Sequence, residues 1–182
     1  MDFEIKNGFV IVEGEPKAYF GTPTVSKVSN AHKDPKDPNL TYYASSTRPF
    51  LTPITIPLDT TVSIVSDKLL VAPRAAVLRK RLRRLIPFSF KNALRYHDVT
   101  APWAVACTRS RVERIVLAEG ETATLVASSL VAWSGNPPNG FIPRLRLRDI
   151  FQFPSVGRVA PRPPCLHVRF FGPAVIYFEG GI

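Results

Sequence analysis

Val112-Glu113-Arg114-Ile115-Val116-Leu117-Ala118-Glu119-Gly120-Glu121-Thr122, followed by Leu130-Val131-Ala132-Trp133, is the stretch whose pattern decides the fold class. Residues 112–117 and 122–126 are rich in β-branched and apolar side chains, which suits strands. Between them, Ala118-Glu119-Gly120-Glu121 reads as a hairpin turn, because Gly120 tolerates a positive φ. The short apolar run at 130–133 makes a third strand.

The same succession occurs upstream. Ile54-Thr55-Ile56 leads through Leu58-Asp59-Thr60-Thr61 to Val62-Ser63-Ile64-Val65, and then to Leu69-Leu70-Val71-Ala72. Residues 50–73 and 108–133 therefore form a pseudo-repeat of strand, turn, strand, a few polar residues, strand. Two related meanders imply two related sheets facing each other around one core. Further strands are expected at 9–13, 103–108, 166–171 and 174–178, with polar, Pro- or Gly-rich connectors between segments. The expectation is a single all-β domain spanning 1–182, a double-sheet sandwich or barrel.

One segment reads differently. In residues 74–86, Leu78, Leu82, Leu85 and Ile86 recur at i, i+4, i+7 and i+8, and Pro87 follows. That spacing predicts a short amphipathic helix with a basic outer surface. Arg74, Arg79, Lys80, Arg81, Arg83 and Arg84 put six cations into residues 74–84. They are the leading candidates for binding an anionic membrane surface or a phosphate backbone. The plainer alternative is that the leucines cap the core while the cations are solvated or meet carboxylates of another subunit. Arg144, Arg146 and Arg148 form a second basic stripe, about 6.6 Å apart on one face of a strand. Pairing with Glu113, Glu119 and Glu121 is the plainer role for that stripe.

Composition agrees with a folded β domain. Eighteen prolines are scattered through 182 residues, and 45% of residues are hydrophobic against 21% charged. The net charge of +10 is uneven. Residues 1–73 carry seven Lys/Arg and eight Asp/Glu, whereas 74–182 carry seventeen and six. An acidic partner surface for the second half follows from that asymmetry. No targeting or membrane-spanning segment is read, because the uncharged run 122–143 is broken by Ser134-Gly135-Asn136-Pro137-Pro138-Asn139-Gly140. Cys107 and Cys165 sit in apolar contexts and are expected as free thiols rather than a disulfide.

Enzymatic signatures are sparse. A metal centre would need His32, His97 and His167 or scattered carboxylates to converge, and no His-x-His or Cys-x-x-Cys spacing prepares that. Ser128, Ser129 and Ser134 lack a Gly-x-Ser-x-Gly elbow, and Cys107 has no nearby His or Asn in sequence. Glu179-Gly180-Gly181 has no Lys-Ser/Thr after it, so it is no phosphate loop. Leu166-His167-Val168-Arg169-Phe170-Phe171 interleaves aromatic and basic residues as nucleic-acid binders do. A strand would nevertheless turn Phe170 and Phe171 to opposite faces. Neither a cofactor nor a small-molecule substrate is expected.

The segment around Gly120 and the following Leu130-Val131-Ala132 also resemble the mitochondrial-biogenesis family named altered inheritance of mitochondria 24. Phe3-Glu4-Ile5, Arg83-Arg84-Leu85-Ile86-Pro87-Phe88 and Phe171-Gly172-Pro173-Ala174-Val175 look similar to elements of that family. In the last of these, Pro173-Ala174 stands where a second glycine often sits. The resemblance implies a fold like that of the tryptophan RNA-binding attenuation protein, a frequently oligomeric domain without established enzymatic activity. The expected function is a non-enzymatic, self-assembling scaffold or binding module, and the expected partner is a second copy of the chain. Docking on an anionic membrane surface, or on nucleic acid, through 74–84 is the alternative. The expected location is the cytoplasm for a bacterial chain and the mitochondrion for a eukaryotic one.

Overall fold

A computed structural model describes residues 3–14, 18–19, 32–34, 37–45, 47–85, 93–141 and 166–180, and the structural statements below concern those residues. The chain first lays down β1 (Phe3–Lys6), β2 (Phe9–Glu13), β3 (Ala18–Tyr19), β4 (His32–Asp34) and β5 (Asp37–Tyr43). Six strands follow: β6 (Phe50–Thr55), β7 (Val62–Val65), β8 (Leu69–Ala72), β9 (Val77–Arg84), β10 (Ala93–Thr100) and β11 (Trp103–Thr108). Six more complete the described part: β12 (Val112–Leu117), β13 (Thr122–Val126), β14 (Leu130–Gly135), β15 (Asn139–Phe141), β16 (His167–Phe171) and β17 (Ala174–Glu179). The only helical element among the described residues is a 3-10 turn at Ala127–Ser129. The protein is all-β.

Every pairing is antiparallel, and the strands make four open sheets. Their orders are β1-β2-β5-β4, β3-β8-β11-β6, β12-β17-β14-β7-β10-β9 and β13-β16-β15. None of them closes into a barrel.

Burial explains how the sheets stack. All six residues of β11 are buried. Trp103, Val105 and Cys107 pack with Val10 and Val12 of β2, while Ala104 and Ala106 pack with Ile64 of β7 and Val131 of β14. A strand covered on both faces reads as a continuous apolar run rather than an alternating one. The six-stranded sheet is covered on its other face too, where Trp133 and Ile176 meet Val168 and Phe170 of β16. Three buried clusters thus separate four layers, whereas the sequence pattern suggests two sheets around a single core.

The pairings of β6 to β11 recur in β12 to β17. Strand β11 sits between β6 and β8 as β17 sits between β12 and β14. Strand β10 joins β7 to β9 as β16 joins β13 to β15. The first turn of each unit matches as well. The Thr60 N–H donates to the Pro57 carbonyl at 3.2 Å, and the Glu121 N–H to the Ala118 carbonyl at 3.1 Å. Asp59 and Gly120 occupy the equivalent left-handed position, with φ of 60° and 84°. The units are joined where β7 pairs with β14, Ile64 opposite Ala132 and Ser63 opposite Trp133.

Two local expectations are corrected. The segment 74–86 is not a helix: Val77–Arg84 is a strand, paired residue for residue with β10 from Val77↔Thr100 to Arg84↔Ala93. An isolated helix of that length is marginal in water, so an eight-residue ladder outcompetes it. Leu78 and Leu85 reach different buried clusters, and Leu82 is 59% exposed, so the leucines do not share one buried face. Likewise, the turn at Ala118–Glu121 is tight but is not a hairpin. Strand β12 belongs to the six-stranded sheet and β13 to the three-stranded one, so this turn is a corner between layers.

Candidate functional site

The basic residues of 74–84 lie along one edge. Strand β9 is the terminal strand of the six-stranded sheet among the described residues. Strand alternation puts Arg79, Arg81 and Arg83 on one face, and Lys80, Leu82 and Arg84 on the other. Arg74 is exposed in the turn before the strand. The Arg81 Nε donates to the Asp98 carboxylate at 3.0 Å, and the Ser63 hydroxyl donates to the other Asp98 oxygen at 2.7 Å. Arg83 donates to the Asn139 side-chain oxygen at 3.2 Å. Arg79 and Lys80 make no ion pair among the described residues. The structure therefore spreads the cations over two faces of an edge strand and engages Arg81 and Arg83 locally. Arg144, Arg146 and Arg148 lie outside the described residues.

Lys80 stands opposite His97 in the ladder. His97 is buried, and its Nδ1 is 3.1 Å from the Ser66 hydroxyl. Burial lowers the His97 pKa below its ordinary value, the Lys80 charge lowers it further, and Asp98 partly opposes both. His167 lies on β16 and does not join it: no group of three His, Cys, Asp or Glu among the described residues could hold a metal ion. His32 is placed on β4, with its side chain outside the described residues, as is Cys165. Cys107 is a buried free thiol, held above its ordinary pKa by burial.

A second constellation lies where the two six-strand units meet. The three-residue connection Ser66-Asp67-Lys68 of the first unit faces its counterpart Ala127-Ser128-Ser129 in the second. The Lys68 ammonium donates to the Ser128 carbonyl at 2.7 Å and pairs with Glu179 at 2.9 Å. Its side chain is only 5% exposed, and that of Glu179 15%. Arg48 binds the Asp67 carboxylate at 2.5 Å and also the Asp67 carbonyl. Burial lowers the Lys68 pKa below its ordinary value, while Glu179 pulls the other way. These groups line a cleft of about 550 Å³, with Arg109, Ser110 and Gly180 also on its wall.

Sequence reasoning passed over this cleft. Its one local signal is Lys68, a lone charge abutting the apolar run Leu69-Leu70-Val71-Ala72. Arg48 and Glu179 reach it only through tertiary structure. Ser128 contributes its backbone carbonyl rather than a nucleophilic hydroxyl, and the Ser129 hydroxyl donates to the Val126 carbonyl at 2.8 Å.

No protein-family model matches the chain, and no curated protein matches it. Among solved structures it is similar to the crystal structure of a structural-genomics protein from Streptococcus pyogenes, with a TM-score of 0.64 at 11% identity. The match covers 98% of this chain and 93% of that one. At such identity the likeness is one of fold, and it extends over nearly the whole chain.

Proposed function

We propose that the chain is a self-assembling, non-enzymatic scaffold or binding module, of the kind that the resemblance to the altered inheritance of mitochondria 24 family implies. The observation that supports this reading is the pair of terminal strands on the six-stranded sheet. Val77 and Leu82 on β9 are 50% and 59% exposed, and Val116 on β12 is 60% exposed. Among the described residues these terminal strands leave backbone groups unpaired, and apolar side chains beside them favour burial against another copy. Static light scattering at micromolar concentration, with native mass spectrometry, tests it. The expected result is a defined multimer, and a strict monomer overturns the reading. In this reading a bacterial chain works in the cytoplasm and a eukaryotic one in the mitochondrion.

The cation-rich β9 favours a second reading, docking on an anionic membrane surface, with nucleic acid as the other source of phosphate. Retention on phosphatidylserine vesicles should fall steeply with salt. Neutralising Arg79, Lys80, Arg81, Arg83 and Arg84 together should abolish it, and unchanged retention sinks this reading. Filter binding of mixed-sequence RNA separates the two sources.

A further inference from the structure

The cleft between the two units combines a buried ammonium, that of Lys68, with a solvent-exposed wall. Its volume of about 550 Å³ lies in the range of small-molecule sites. An ammonium has three donors, and Lys68 uses two of them on the Ser128 carbonyl and on Glu179. The third has no acceptor among the described residues, although Lys68 is 4% exposed. Arg109 stands exposed on the wall and makes no ion pair among the described residues. Arg48, Lys68 and Arg109 face Asp67 and Glu179, three cations against two carboxylates. Among the described lining residues one positive charge is left over. Ala127 and the edge of Val65 supply apolar lining, with the buried Leu130 behind them.

We propose that this cleft binds a small organic monocarboxylate, its carboxylate between Lys68 and Arg109 and its apolar body against Val65 and Ala127. A single carboxylate matches the single uncompensated charge and accepts from the third Lys68 donor. A phosphate dianion would bring a surplus negative charge beside Glu179, where desolvation makes it costly.

The full-length chain, titrated with sodium hexanoate, 1-hexanol and inorganic phosphate and followed by amide NMR, tests the site. Hexanoate should give saturable shifts at Lys68, Ser128 and Leu130, and hexanol should not. Arg109→Gln, at an exposed position, should keep the fold and weaken hexanoate about tenfold, the scale of one charge-assisted hydrogen bond. Lys68→Met should remove the binding. If that variant does not fold, Arg109→Gln decides alone. Absence of saturation with hexanoate overturns the proposal, as does equal binding of hexanol. Tighter binding of phosphate, or an unchanged affinity in Arg109→Gln, overturns it too.

Discussion

Lys68 and Glu179 are a buried ion pair, and the energetics of such pairs are lopsided. Desolvating two charges offsets most of their attraction, so an apolar replacement of similar size is tolerated. Removing one partner strands the other. Glu179→Ala and Lys68→Met should therefore each cost about 3–5 kcal/mol in denaturant unfolding, whereas the double variant Lys68→Met with Glu179→Leu should be near neutral or stabilising. His97 carries the pH dependence. Its pKa is lowered in the folded state from 6.5, so the unfolded chain binds the proton more readily. The His97 contribution to stability should be full above pH 6.5 and fall as the pH drops from there through the folded-state pKa. His97→Gln should flatten that decline in thermal unfolding. Lys80→Met should shrink it, because the Lys80 charge is one cause of the lowered pKa.

Among the elements, the corners between layers are the sensitive points. Gly120 has φ of 84° with nothing near the position a Cβ would take, so Gly120→Ala should cost only the left-handed penalty, about 1–2 kcal/mol. Gly172, between β16 and β17, differs. A Cβ there would land on the Ala118 carbonyl, which is backbone and cannot swing away. Gly172→Ala should cost distinctly more than Gly120→Ala in the same denaturation assay. The strands themselves were legible where their pattern is local. Leu69–Ala72 and Trp103–Thr108 announce themselves as apolar runs, and Gly120 as a turn. The pattern does not say which strand lies beside which. Nothing in residues 112–126 shows that β12 pairs with β17 and β13 with β16, because those partners lie more than forty residues downstream. In β9, good helix formers at a helical spacing outweighed the real determinant, an eight-residue partner at Ala93–Thr100. The cleft was hidden for the same reason: Lys68 is visible as an odd charge, but Arg48 and Glu179 gather around it only once the sheets are stacked.

At the scale of the whole molecule, the two tryptophans report on different layers. Trp103 packs on Phe3 with ring centroids 4.4 Å apart, and Trp133 lies against Tyr96 and Phe170 at 4.8 and 6.2 Å. The strand β11 and the pairing of β7 with β14 bind all the layers into one structure, so unfolding should be cooperative. The variants Trp103→Phe and Trp133→Phe each leave one fluorescent reporter. In each variant the fluorescence transition should coincide with the loss of far-ultraviolet circular dichroism; a reporter that melts ahead of the sheets would mark an independently unfolding layer. Trp103→Phe should be the milder change, since the Trp103 indole N–H is buried without a hydrogen-bond partner among the described residues.

The seam between the units has one more consequence. Ile64 and Ser63 pair with Ala132 and Trp133, and Lys68 grips Ser128 and Glu179. Each unit thus finishes the hydrogen bonding of the other, and the peptide link at 109–111 does little of the holding. A chain nicked there should travel through gel filtration as one particle and separate only in denaturant. Fragment complementation, two halves made apart and reassembled on mixing, is the behaviour such a seam prepares.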